Sequence, residues 1–482
     1  MNERSAKNDP FVLARRFFRA ATRRCPVCCL LFLPMLTWAF SVGGNQVVDG
    51  ESPRIEGEGD GNTVWPAGAS PNWMYNWSDR YGDGSSNAVA NAGLHLGTYR
   101  LYAARANSTD RGTIVIDLNG GDLVSEGEDV SVLLRRHNPD GATRNERLGS
   151  TDSLVIRNVG EVVLGGIDTH GWHEYVNTDY RAGSVSIGSA QARAGSVTIA
   201  YLHAHGRKEG RVSSGTVEIY SSSSVAVVQG IRTDSTGRGH GDILIDHVGY
   251  CVLGSIRAET AGSGTHNPRQ ANISLDGGDA SGDLVVGDIH AFLTKTGGSY
   301  TAAPESHLTV RNYRHVALGA LLRYNLYDTT SCGYGGHVTV TENITGNIAV
   351  AGEIRLEHVG GNRNRFGELR LAAGGTVTVS GLDLDKVRFA TISSGSGISE
   401  LAGDLLNFDT DGSGAGTLRD PVIATQTALR VPAGQRILYK VREGANASLS
   451  GKVYRIANES GAAGHGGLLM PVPVRGTVVM MF

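Results

Sequence analysis

The densest group of chemically capable residues lies in GEVVLGGIDTHGWHE (160–174), which holds Asp168, His170, His173 and Glu174. Two carboxylates and two imidazoles this close together are the ingredients of a metal site or an acid–base pair. A zinc protease motif would place its histidines one helical turn apart, as H-E-x-x-H. Here His170 and His173 are three apart and follow EVVLGGI, an apolar run broken by two glycines. That prefix reads as a strand that bends and restarts, so the cluster must be judged from the architecture that holds it.

A second group is DTDGSGAGTLRD (409–420). Asp409, Asp411, Ser413 and Asp420 follow the order of a calcium loop, with oxygen donors suited to a hard cation and Gly414 at the tight turn. Asp420 stands where the usual bidentate Glu would be, and Pro421 forbids a helix directly after the loop. The same residues also suit an Asp/Gly hinge. SELAGDLLNF (399–408) reads as a short helix entering the loop. Apart from calcium (Ca2+), no cofactor is called for.

The elements around these residues repeat. A four-residue pattern with apolar second and fourth positions appears as TIVI (113–116), SLVI (153–156), SVSI (184–187), TVEI (216–219) and DILI (242–245). It continues as NISL (272–275), HLTV (307–310), HVTV (337–340) and ELRL (368–371). From Ser153 to Glu368 the spacings are 31, 32, 26, 30, 35, 30 and 31. Each copy precedes a second apolar run that bends on small residues: VVLGGI (162–167), VTIAYL (197–202), AVVQGI (226–231), CVLGSI (251–256) and LVVGDI (284–289). VALGAL (316–321), AVAGEI (349–354) and VTVSGL (377–382) complete the set, with Ala351 standing where Leu164 does. Three short strands and three turns per unit predict an all-β, parallel β-helix of about nine coils of roughly 31 residues. Each strand pairs with its equivalents above and below, and the inward Val, Ile and Leu form columns. The region is placed at 92–400.

On this coil pattern the chain resembles the right-handed parallel β-helix superfamily of secreted bacterial proteins, which includes pectate-lyase-like proteins, haemagglutinin-type adhesins and autotransporter passengers. The resemblance implies surface or extracellular binding, with polysaccharide lyases and glycoside hydrolases among its members. It transfers no catalytic residue, because no family catalytic motif is present.

Alternation along the third strand then turns the opening cluster into columns. With Ile167, Leu202, Ile231, Ile256 and Ile289 inward, one outward column holds Asp168, His203, Arg232, Arg257 and His290. A second holds His170, His205, Asp234 and Glu259. Such columns are a solvated ladder, a ligand-binding strip for polysaccharide or a cell-surface glycan, or a catalytic centre.

Composition agrees with many short strands. The 482 residues include 67 glycines but only 6% aromatics, and charge is 19% with a net of −3. Residues 1–41 read as a secretory signal peptide: Arg15, Arg16, Arg19, Arg23 and Arg24 precede the short apolar run VCCLLFLPMLTWAF (27–40) and a small-residue exit at Ala39 and Ser41. This predicts export to the cell surface or outside, with no transmembrane segment after cleavage. The rest is mildly acidic without basic runs, which excludes a nucleic-acid partner. Residues 42–91, with Trp65, Trp73 and Trp77, read as an N-terminal aromatic cap, 401–420 as the Asp/Gly linker, and 421–482 as a small C-terminal β cap or association module. Cys251 takes an inward position, as a buried core thiol.

Overall fold

The computed structural model describes short strands from Arg54 onward, residues 113–403 apart from loops between strands, and four strands between 429 and 471. The segment read as a signal peptide (1–41), the tryptophans read as a cap, His173, Glu174 and the whole 409–420 loop lie outside the described residues. Among the described residues the chain is all strand, and no helix is long and apolar enough to cross a membrane.

The fold is a parallel β-solenoid. All nine copies of the four-residue pattern are successive members of one twelve-stranded sheet, called here the plain sheet. Its pairs are parallel and in the register expected, with Leu154 beside Val185, Val185 beside Val217, and Ile243 beside Ile273. The second runs belong to an eighteen-stranded sheet, the bent sheet, in which the predicted second and third strands are one element with a bend, as in Glu161–Asp168 and Cys251–Arg257, except where His315–Leu318 and Leu321–Leu322 stay separate. Inward residues of both sheets fill one continuous core, from Ile116 to Tyr439, where most are 0–1% exposed. Cys251 sits there between Val225 and Leu284, fully buried, and burial pushes its thiol far above the usual range.

The bend needs small residues because neighbouring rungs approach closely there. A Cβ on Gly287 would fall 1.6 Å from the carbonyl oxygen of Gly254 one rung away, so only glycine lets those backbones meet. Some rungs carry one more residue at this corner. Register shifts between Val227 and Ile231 and between Val350 and Glu353, and Gly230 takes a φ of 113°. The extra residue corrects one assignment: Val350, buried, fills the inward position that an ungapped reading gives to the exposed Ala351.

The parallel ladder runs on past 403, because Arg436–Val441 pairs in parallel with Ile398–Gly403. Antiparallel pairing begins with Val453–Ala457 and Leu468–Pro471, within the segment read as a C-terminal cap. At the other end Arg54–Glu56 lies antiparallel to Arg100–Ala106. The helix expected from Ser399 does not start there. Ile398–Gly403 is a strand whose Ser399 and Leu401 point inward, because pairing on both edges outweighs helix propensity.

Outside the bent sheet, the residues midway along the strands pair rung to rung as Val124, Val163, Thr198, Ala226, Val252, Val285, Ala317, Ala349 and Thr378, and charge returns only at Glu400. Inside, the small residues after the third strand (Thr169, Ala204, Thr233, Ala258, Ala291) are followed by Arg323, which is 1% exposed. Its Nη2 donates to the Ala271 carbonyl at 3.0 Å, while Nε and Nη1 have no hydrogen-bond partner. Burial pulls its pKa down to about 9, against the pull of Asp242.

Candidate functional site

The third strands bring the expected residues together across rungs. Asp168 pairs with His203, His203 with Arg232, Arg232 with Arg257, and Arg257 with His290, so the first column is the register of the sheet itself. The second column follows from the backbone bonds that continue beyond it, Gly206 N–H to Asp234 O and Ser235 N–H to Glu259 O, together with the pairing of Gly171 with Gly206. Inward threonines fix the corner: Thr169 Oγ1 donates to Gly183 O at 2.7 Å, and Thr233 Oγ1 to Gly241 O at 3.0 Å. These bonds tie the two threonine-bearing third strands to the start of the next plain-sheet strand.

Within this frame the side chains form two connected groups. At one end, Asp168 Oδ1 meets His170 Nδ1 at 2.5 Å and also accepts the His170 backbone N–H. The His170 ring stacks on His205 with centroids 5.3 Å apart, and His205 meets His203 edge-on at 5.4 Å. At the other end, Asp234 is the hub. It accepts from Arg232 Nε at 2.6 Å, from the Glu259 backbone N–H at 3.1 Å, and it lies 3.1 Å from Arg257 Nε. Arg257 also donates to Glu259 at 3.0 Å.

Outward on the strand does not mean open to water here. Asp168, His205 and Asp234 are under 10% exposed, which corrects the expectation of a solvated ladder at those positions. The chain turns away immediately after them into short lateral strands, Gly171–Trp172 paired with Gly206–Arg207 and Thr260–Ser263 paired with Leu293–Thr296, so these groups sit in a corner. Arg232 and Arg257 remain partly open, with side chains 37% and 49% exposed.

Protonation follows from this placement. Burial would raise Asp168, but the His170 hydrogen bond and charge outweigh it and hold the carboxyl below its usual value. Burial, then the Arg232 charge, drives His205 down to about 3, so its imidazole is neutral at pH 7. Its Nδ1 is buried with no hydrogen-bond partner. His203 is also lowered by burial, with Asp168 opposing, and Glu259 is raised by burial and by Asp234. The arrangement therefore offers neutral imidazole faces, two carboxylate-anchored guanidiniums and fixed carboxylates. Among the described residues no three His, Cys, Asp or Glu are grouped to hold a metal ion.

Sequence reasoning missed Tyr201. Its ring lies over Gly166, where a Cβ would come within 2.1 Å of it, and packs on His203 at 4.7 Å. The signal was present: Tyr201 is an aromatic at a bend position that both neighbouring rungs fill with glycine, Gly166 and Gly230.

Comparison with family models, with characterised proteins and with solved structures returned no match.

Proposed function

We propose that the chain is an exported, cell-surface or extracellular member of the right-handed β-helix superfamily, acting as a non-enzymatic, adhesin-like binding module. Its ligand is a polysaccharide or cell-surface glycan laid along the third-strand ladder of Asp168, His170, His203, His205, Arg232, Asp234, Arg257 and Glu259. The observation that carries this reading is the Asp234 hub. It fixes two partly open guanidiniums on adjacent rungs, so a polymer along the axis meets oriented donors at rung spacing. Because Asp234 and Glu259 already balance those charges, hydroxyls of a neutral glycan gain more than the carboxylates of an acidic one. Export rests on the leader sequence, and the superfamily on the coil pattern.

The rival is a polysaccharide lyase or glycoside hydrolase, favoured by one observation: the Asp168 carboxylate holds the His170 imidazole by a hydrogen bond, a pairing that acid–base chemistry uses. A panel of neutral and acidic polysaccharides, with and without calcium, separates them. The binding reading expects retardation by a neutral polymer, weakened about tenfold in Arg232→Ala, with no new reducing or unsaturated ends. Release of such ends that is lost in a His205→Ala, Arg232→Ala double variant establishes the enzyme instead.

We also propose calcium at Asp409, Asp411, Ser413 and Asp420, on residue order alone. A melting temperature that chelator lowers supports this site, and one unmoved by chelator removes it.

A further inference from the structure

The interior of the solenoid holds a cation that the protein's own side chains do not neutralise. Arg323 is the largest of the fully buried side chains among the described residues. Ala258, Ala291, Arg323 and Leu356 take the same inward position on successive third strands, in the register of the bonds Ala258 N–H to His290 O, Ala291 N–H to Leu322 O and Arg323 N–H to Arg355 O. At earlier rungs Thr169 and Thr233 close this corner by donating to Gly183 O and Gly241 O. Ala271 is the register equivalent of Gly241, and Ala258 has no hydroxyl to offer it. Arg323 reaches back past Ala291 and donates to Ala271 O instead. That bond engages Nη2 alone. Nε and Nη1, which carry three of the guanidinium's N–H groups, have no hydrogen-bond partner in the protein. Asp242 attracts the charge through space without bonding to it, its carboxylate accepting the Asn272 backbone N–H at 2.7 Å. A buried charge is tolerated when it is paired and hydrogen-bonded, and this one lacks a pair.

We propose that Arg323 holds a small monovalent anion of the halide type inside the solenoid, against Nε and Nη1 and beside the methyls of Ala258 and Ala291. Enclosure limits the size of the ion, because Arg323, Ala258, Ala271 and Ala291 are each at most 1% exposed. Charge limits its valence: one guanidinium balances one negative charge, and a dianion would leave an excess buried. Alanine methyls orient nothing, which suits a spherical ion better than a carboxylate. A water accepts the same N–H groups, but it leaves the charge uncompensated, and the methyls beside it take none of its hydrogens. The glycan reading uses neither Arg323 nor this corner, so the two stand apart.

The test is thermal unfolding of the full chain in sodium chloride against sodium gluconate at constant ionic strength, gluconate being too large for the enclosed corner. An ion that binds only the folded chain should raise Tm by about 2 °C for each tenfold increase in chloride above its Kd. Arg323→Met, uncharged and of similar volume, should fold, and its Tm should not respond to chloride. Crystals of the wild type grown in bromide should show an anomalous peak beside Arg323 Nε and Nη1. A wild-type Tm that is the same in gluconate and in chloride up to about 0.3 M overturns the proposal. So does a chloride response kept in Arg323→Met, or bromide found only at other positions. If Arg323→Met does not fold, the chloride response and the bromide peak of the wild type decide the matter.

Discussion

The two outward columns of the third strands share strands, register and residue types, yet they occupy different environments. In the first, exposure opens along the axis: Asp168 is covered, Arg232 and Arg257 are one-third to one-half open, and His290 is about one-third open. In the second, His205 and Asp234 are buried and Glu259 is mostly covered. Two residues of displacement along a strand separate them. What differs is the next element: the chain continues beyond the second column into lateral strands, whereas the first column has only its own strand on that side. Alternation therefore sets which way a side chain leaves the backbone, and the following turn sets whether it reaches water.

The sharpest way to break this comparison is acid. His205 has a folded pKa of about 3 against an ordinary 6.5, so between those values the unfolded chain binds the extra proton. Stability is then complete above about pH 6.5 and falls as pH drops toward 3, by an amount on the order of a few kcal/mol. Thermal melts across that window should show the loss, and His205→Gln should flatten it. Asp168 acts lower. Its depressed carboxyl contributes above its ordinary value and loses that contribution as pH falls through the folded one, so its effect follows that of His205.

A smaller effect is expected at the hub. Asp234→Ala removes the acceptor of Arg232 and of the Glu259 backbone N–H, leaves Arg257 only Glu259, and should cost about 2 kcal/mol by denaturant titration. The smallest is expected in the open column, where Arg257→Ala removes partly exposed pairs worth under about 1 kcal/mol. Equal losses from Asp234→Ala and Arg257→Ala would erase the distinction between the columns.

Much of the fold was legible in the sequence. The inward columns through Val162, Val197, Cys251 and Leu284 follow from alternation and spacing, because burying one strand face demands apolar residues at every second position. The first outward column was legible for the same reason. The burial of His205 was not, since it depends on where a polar loop turns, and polar loops carry no period. The extra bend residues at Val228 and Ala351 escaped because a bulge alters pairing without altering composition. Ile398–Gly403 was misread because a strand stabilised by its neighbours needs no propensity of its own. Tyr201 shows the opposite case, a single atypical residue whose partner glycine was visible one rung away.

Arg323 bears on a difficulty peculiar to repetitive molecules. Rungs of similar sequence have near translational symmetry, so a strand displaced by one coil during folding would find almost the same columns waiting for it. A guanidinium that reaches Ala271 O beside the small residues Ala291 and Ala258 can be housed at one level of the stack, and a shift of one rung would set it against Leu356 or strip it of its one acceptor. Its buried charge works as an index mark on an otherwise uniform scale, telling identical-looking rungs apart.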